Sequence, residues 1–219
     1  MKGIYDEKEV KVINWNVQMV LLESSEGEFL VDRKDFETNF RDDNILSINS
    51  EIVVNAQKYA LKCHTETNHT YDNLPYEVHL RMVYSFGIRF EHLLPQNTKE
   101  YALAACWTHD TIEDCRQTYN DVKEACGEHI AELTYALTNL KGKNRKERAG
   151  DAYYEGIRNT PMARFVKLCD RLANVKYSLE KGDNRMWQTY KQENPHFKNQ
   201  LYESTLQEMF DELEKLFQN

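Results

Sequence analysis

The chain has 219 residues, and its 41% hydrophobic and 29% charged content with only 8 Gly and 4 Pro excludes a disordered, collagen-like or low-complexity polymer. The net charge of −8 excludes general binding to a nucleic-acid backbone, which needs an excess of Lys and Arg to displace counterions. No apolar run is long enough to span a bilayer, and the opening MKGIYDEKEVKV is too polar for a secretory h-region, so the expectation is a cytoplasmic protein with no membrane partner. Cys63, Cys106, Cys115, Cys126 and Cys169 are odd in number and contain no Cys-x-x-Cys pair, the usage of reduced, mostly buried thiols.

Residues 1 to 46 read as an extension with its own character. Trp15, Val17, Met19 and Leu21 alternate with Asn16, Gln18 and Val20, the period of a half-buried strand. Ser24-Ser25-Glu26-Gly27 then turns the chain into Phe29-Leu30-Val31, which predicts a short β-hairpin. From Ser50 the period becomes helical, with Ile52, Ala56, Tyr59, Ala60 and Cys63 on one face. Helices are predicted over residues 76–93, 99–114, 119–125, 128–138, 146–156, 161–181 and 197–217, separated by turn-forming clusters such as Asp72-Asn73-Leu74-Pro75 and Gly182-Asp183-Asn184. The expected architecture is mainly α: a helical bundle over residues 47–219, preceded by a short β-hairpin extension over 1–46.

Three segments carry chemistry. The stretch Ala102 to Asp114 is apolar nearly all round and then ends in His109, Asp110, Glu113 and Asp114, the three acids lying at i, i+3 and i+4. Burying such a cluster without partners costs several kcal/mol, so it needs either a cation or a solvated face. In Phe165 to Val175 the polar residues Lys167, Asp170, Arg171 and Asn174 form one stripe on an otherwise apolar helix, fit either for a site or for a structural salt bridge to Asp170. His79 sits in the first turns of the helix opened by Pro75-Tyr76; a single histidine there serves equally as a packed residue or as a ligand. Together His79, His109, Asp110 and Asp170 make a two-imidazole, two-carboxylate set that suits Mn²⁺, Fe²⁺ or Zn²⁺ better than Mg²⁺.

In the motifs Pro75-Tyr76-x-x-His79, His109-Asp110-x-x-Glu113-Asp114 and Lys167-Leu168-Cys169-Asp170-Arg171-Leu172-Ala173-Asn174, in that order, the chain resembles the HD-domain metal-dependent phosphohydrolases. The resemblance is closer to the hydrolase domain of the RelA/SpoT alarmone enzymes and the small alarmone hydrolases, and it covers roughly residues 50 to 195. It implies an HD-type bundle in which His79, His109, Asp110 and Asp170 hold one divalent ion, Mn²⁺ above all. It also implies that Glu113 and Asp114 position and deprotonate the attacking water, and that Asn174 contacts the nucleotide. The implied reaction removes pyrophosphate from the 3′ position of guanosine 3′-diphosphate 5′-di(tri)phosphate, with no cofactor beyond the ion. The readings left beside it are a phosphatase of another nucleotide or phosphorylated dinucleotide, and a non-catalytic nucleotide sensor.

One departure from the family pattern concerns the base. Where relatives carry an Arg and a Gly before Pro-Tyr, this chain has His69-Thr70-Tyr71-Asp72-Asn73-Leu74, which leaves Tyr71 or His69 as the purine-stacking candidate. The run Lys141 to Arg148 holds five cations in eight positions; Lys143, Arg145 and Arg148 offer contacts for phosphates, and a solvated loop is the plain alternative. Among Trp187, Tyr190 and Phe197, at least two are expected in the core, with Tyr190 the candidate to face the nucleotide. The sequence assigns no oligomeric state.

Overall fold

The computed structural model describes residues 2–5, 8–15, 19–25, 27–32, 40–41, 50–139 and 142–218. Asn16, Val17, Gln18, Glu26 and Lys141, and the side chains of Trp15, Met19, Leu21, Arg145 and Lys146, lie outside the described residues. The chain divides into two compact units, Met1–Ser50 and Glu51–Asn219.

The first unit is a five-stranded antiparallel sheet ordered β4-β3-β2-β1-β5. Its strands are β1 (Lys2–Tyr5), β2 (Lys8–Trp15), β3 (Met19–Ser24), β4 (Gly27–Asp32) and β5 (Phe40–Arg41). The expected hairpin is β3–β4, paired from Met19↔Asp32 to Ser24↔Gly27. The sheet extends beyond that hairpin, and Trp15 ends a separate strand instead of opening β3. A register shift between Val12 and Asn14 where β2 meets β3 explains why alternation read along the chain misses β2, since a bulge breaks the period of two.

The second unit is a helical bundle. Helix α1 (Glu51–Glu66) leads to a tight hairpin of β6 (Thr70–Tyr71) and β7 (Leu74–Pro75). The hairpin's two turn residues, Asp72 and Asn73, both have positive φ, 53° and 67°, which short polar side chains tolerate best. Then follow α2 (Glu77–Phe90), α3 (Lys99–Thr108), α4 (Thr111–Asp114), α5 (Tyr119–Cys126) and α6 (Glu128–Leu137). After these come α7 (Arg145–Arg148), α8 (Asp151–Asn159), α9 (Ala163–Lys181), α10 (Asn184–Leu201) and α11 (Gln207–Leu216). No helix among the described residues is long and apolar enough to cross a membrane.

Helix α9 is the axis, packing against α2, α3, α10 and α11. Its Phe165, Val166, Leu168, Cys169, Leu172, Ala173 and Val175 are all buried, each large side chain contributing on the order of 1.5–3 kcal/mol of apolar burial. It ends at Gly182, whose φ of 75° lets the Asp183 N–H return to the Ser178 carbonyl at 2.9 Å. Helix α3 is buried from Ala102 to Thr108. Its approach to α2 is so close that a Cβ on Gly87 would stand 3.1 Å from both Cys106 Sγ and Leu103 Cδ2. That approach sets His79 against His109.

Three predicted helices differ from the observed ones. The stretch 99–114 breaks at His109 and Asp110, with Asp110 at φ −102°, ψ 0°. The stretch 146–156 is two pieces, α7 and α8, separated at Gly150. The stretch 197–217 is the end of α10 and the whole of α11, and α10 begins thirteen residues earlier than expected. Asn194-Pro195 reads as a helix stop, because Pro195 has no N–H for the carbonyl four residues before it. The helix persists through it because Asp183 caps its start at Met186 N (3.1 Å) and Trp187, Tyr190, Phe197 and Leu201 bury one face.

Candidate metal centre

His79 comes from the first turn of α2, His109 and Asp110 from the break between α3 and α4, and Asp170 from the middle of α9. In an unbroken helix, neighbours such as His109 and Asp110 diverge by about 100° around the axis. The break at Asp110 instead brings His109 Nε2 and Asp110 Oδ2 to 2.9 Å. His79 Nε2 lies 3.3 Å from His109 Nε2, 3.4 Å from Asp170 Oδ1 and 3.6 Å from Asp110 Oδ2. His109 Nε2 lies 3.9 Å from Asp170 Oδ1. The ligating atoms of His79, His109 and Asp170 thus lie within 4.8 Å of one another, the mutual spacing of donors that each stand about 2.0–2.2 Å from one ion, and Asp110 Oδ2 borders the two histidines.

Tautomers follow from the second ring nitrogens. His109 Nδ1 meets the Cys106 carbonyl oxygen at 3.0 Å, and since a carbonyl only accepts, Nδ1 carries the proton. His109 Nε2 therefore faces two carboxylates and another imidazole with its lone pair unless a proton takes the place of a metal. The protein's own charges are consistent with this demand for a cation. Burial opposes charge on His109, yet Asp110 and Asp170 raise its pKa to about 9. Burial likewise disfavours ionised Asp110 and Asp170, but His109 in the first case, and Lys167 followed by the two histidines in the second, hold both carboxyls well below the ordinary range. The donor set therefore fits a divalent ion, with two nitrogens and two anionic oxygens ready to replace its water.

The ligand candidates are themselves held. The Tyr76 hydroxyl donates to Asp110 Oδ2. Lys167 Nζ donates to Asp170 Oδ2 at 2.9 Å, turning the other oxygen toward the histidines. Asn174 Nδ2 donates to Asp170 Oδ1 at 2.5 Å and Asn174 Oδ1 accepts from the Tyr71 hydroxyl at 2.9 Å. Tyr71 in turn stacks on His79 with ring centroids 4.8 Å apart and meets Tyr177 at 4.7 Å. The hairpin β6–β7 is what brings Tyr71 here.

Glu113 and Asp114 lie one turn beyond Asp110. Glu113 accepts from Asn139, through the backbone N–H at 3.2 Å and the side-chain amide at 2.9 and 3.0 Å. Asp114 is an exposed residue whose side chain is 32% exposed, and partial desolvation of its carboxyl followed by the carboxylates of Asp110 and Glu113 raises its pKa to about 7. Its Oδ2 is 3.9 Å from His69 Nε2.

Other sequence candidates fall elsewhere or are engaged differently. Tyr190 is buried with its ring 4.8 Å from the Arg171 guanidinium, and the Tyr71 phenol's pKa is raised by burial first and by Tyr190 next. Trp187 and Phe197 are in the core. Arg171 pairs with Glu193 at 2.9 Å, so the polar stripe of α9 divides: Lys167 and Asn174 both donate to Asp170, and Arg171 turns to the packing against α10. Lys143 and Arg148 are exposed, on a segment whose Lys143 N–H donates to Glu147 at 2.8 Å. His69 stacks on Tyr76 at 3.9 Å instead of standing open to a base. Residue order alone assigns no role to Asn139 or His64. Asn139 carries no signal of its own, whereas His64, adjacent to Cys63 on the apolar face of α1, is a buried histidine whose pKa burial lowers to about 3.

No protein-family model matches the chain. Over 77 residues, 34% of the chain, it is 36% identical to a guanosine-3′,5′-bis(diphosphate) 3′-pyrophosphohydrolase of Aquifex aeolicus, spanning 11% of that protein. It is 28% identical over 79 residues to the corresponding MESH1 enzyme of Drosophila melanogaster and 31% identical over 74 residues to that of Mus musculus, covering 36% and 34% of this chain. The matched regions span 44% and 41% of those two proteins, less than half of each. Among solved structures, the fold superposes on a metazoan ortholog of SpoT that hydrolyzes ppGpp, with a TM-score of 0.61 and 21% identity over 77% of this chain and 95% of that one. The mainly α, HD-like fold is shared.

Proposed function

We propose that the chain is a metal-dependent phosphohydrolase that removes pyrophosphate from the 3′ position of guanosine 3′-diphosphate 5′-di(tri)phosphate, with Mn²⁺ as its ion. The observation that carries this reading is the convergence of His79, His109 and Asp170, with ligand atoms 3.3 to 3.9 Å apart, and of Asp110 2.9 Å from His109, with a carboxylate of pKa about 7 one turn away. Relatives named as 3′-pyrophosphohydrolases of the same nucleotide support the substrate.

His79, His109, Asp110 and Asp170 would hold the ion, which when bound supplies a Lewis acid for water and phosphoryl oxygen. Asp114 acts as proton acceptor: its pKa of about 7 lies near the operating range, where a general base is most effective. Glu113, fixed at both oxygens by Asn139, orients the water. Lys167 and Tyr76 are positioning residues that keep Asp170 and Asp110 turned inward. Asn174 and Tyr71 stand at the edge of the centre as nucleoside contacts, Tyr71 in place of the family's Arg. Lys143, Arg145 and Arg148 would supply charge for the phosphates that are not cleaved.

The test incubates the full chain and Mn²⁺ with a panel of nucleotides and scores phosphate and pyrophosphate separately by chromatography. Pyrophosphate release from guanosine 3′-diphosphate 5′-diphosphate is the expected result. Orthophosphate alone, or cleavage of a different nucleotide with none of this one, would refute the substrate assignment.

A further inference from the structure

A second cluster of ligand-type side chains lies beside the first. His64 at the end of α1, His69 in the following loop and Cys115 after α4 each offer a donor atom, all within 4.8 Å of one another. His64 and Cys115 are buried and His69 is half-buried. The two imidazoles face each other through Nδ1 at 2.9 Å, a close approach like that of His79 and His109 at 3.3 Å.

A direct N–H···N bond does not exhaust this cluster. His64 Nε2 is buried without a partner in either tautomer and so does not choose between a shared proton and a shared ion, whereas the sulfur beside the two facing Nδ1 atoms does. His69 Nε2 looks toward Asp114 Oδ2 at 3.9 Å, a charge that favours a proton on Nε2 and a bare lone pair on Nδ1. The Cys115 sulfur stands 3.7 Å from the Thr67 hydroxyl, whose proton has a closer acceptor in the Cys63 carbonyl at 3.0 Å, and burial pushes the thiol's pKa up to about 12, so it is metal binding that would displace its proton. Two nitrogens and one sulfur are a softer set than the N₂O₂ set of the first centre and match the preference of Zn²⁺.

We propose that His64, His69 and Cys115 form a second transition-metal site, of the Zn²⁺ class, distinct from the His79–His109–Asp110–Asp170 centre. Binding exchanges the thiol proton of Cys115, released to solvent, for a metal–sulfur bond. The two sites share a wall. The Tyr76 ring stacks on His64 at 4.4 Å and on His69 at 3.9 Å, and its hydroxyl donates to Asp110. An ion on the two imidazoles therefore fixes the ring that orients a carboxylate of the first centre.

The test loads the full chain with Co²⁺, because a thiolate bound to Co²⁺ gives a charge-transfer band in the near ultraviolet that nitrogen and oxygen ligands do not. The band is expected in the parent chain and in His79→Ala, where only the first centre is damaged, and in that variant it should be bleached by one equivalent of Zn²⁺. Cys115→Ser is expected to lose the band and one ion per chain by elemental analysis. Should that variant fail to fold by circular dichroism, His69→Ala, in a half-buried loop residue, should bind one ion fewer than the parent and show a weakened band. Absence of the band in the fully loaded parent, or an unchanged ion count and band in the folded variant, overturns the proposal. The band reports on sulfur alone, so the outcome is independent of whether the chain hydrolyses any nucleotide.

Discussion

Replacing Lys167 by Met removes the cation from Asp170 while keeping an unbranched side chain of similar length. The two side chains are 17% and 13% exposed and joined by a 2.9 Å bond, so both charges are largely desolvated. Burial works against the ammonium, yet Asp170 and Tyr153 hold its pKa well above the ordinary value, so the pair is ionised. Breaking a buried pair by removing one partner costs about 3–5 kcal/mol. Because Asn174 still donates to Asp170 Oδ1, the lower end, about 3 kcal/mol, is the appropriate figure. With a divalent ion on Asp170 the stranded charge has a partner again, and the loss falls to that of one charge-assisted hydrogen bond, about 1.5 kcal/mol. At about 2–4 °C per kcal/mol for a domain of this size, Lys167→Met should lower Tm by about 6–12 °C in chelator and by about 3–6 °C in saturating Mn²⁺. Thermal melts followed by circular dichroism in the two buffers make the comparison. An equal drop in both would refute the idea that Asp170 exchanges one cationic partner for another.

His109→Ala and Asp170→Ala should each lose the Mn²⁺ retained by the parent after desalting, and equal metal content would remove both from the ligand set. Glu113→Ala and Asp114→Ala should keep the ion but lose turnover by about 10²–10⁴-fold. Asn139→Ala, which frees Glu113 without touching the reactants, should cost about tenfold in kcat, or ~1.4 kcal/mol, with an unchanged KM; an unaltered kcat would mean that Glu113 needs no support. In chelator, Asp114→Asn should become more stable than the parent as pH rises from about 4 to about 7. The raised folded pKa of Asp114 means that the unfolded parent ionises first and parent stability is lost across that window, so a Tm difference independent of pH would refute the assignment. Lys143→Gln with Arg148→Gln should raise KM more for a tetraphosphorylated nucleotide than for a monophosphate, with the parent's KM rising with salt; a uniform change would return the segment to a solvated loop.

The change from period two to period 3.6 near Ser50 and the three motifs that carry His79, His109, Asp110 and Asp170 are legible from residue order alone. Local periodicity and side-chain chemistry suffice to name a helical bundle and a cation-demanding donor set. What the sequence could not supply is what depends on partners distant along the chain. The break at Asp110, which makes adjacent residues point to one place, falls where α3 packs on α2 and α9 while α4 packs on α1 and α6, whereas the local pattern continues as a helix to Asp114. Helix α10 survives Pro195 because its buried face outweighs one missing hydrogen bond. Lys167 and Arg171 belong to one stripe in the sequence, yet one orients Asp170 and the other pairs with Glu193 across a helix interface. Asn139, His64 and Cys115 gain their significance only by meeting Glu113 and His69, contacts set by packing between helices and not by spacing along any one of them.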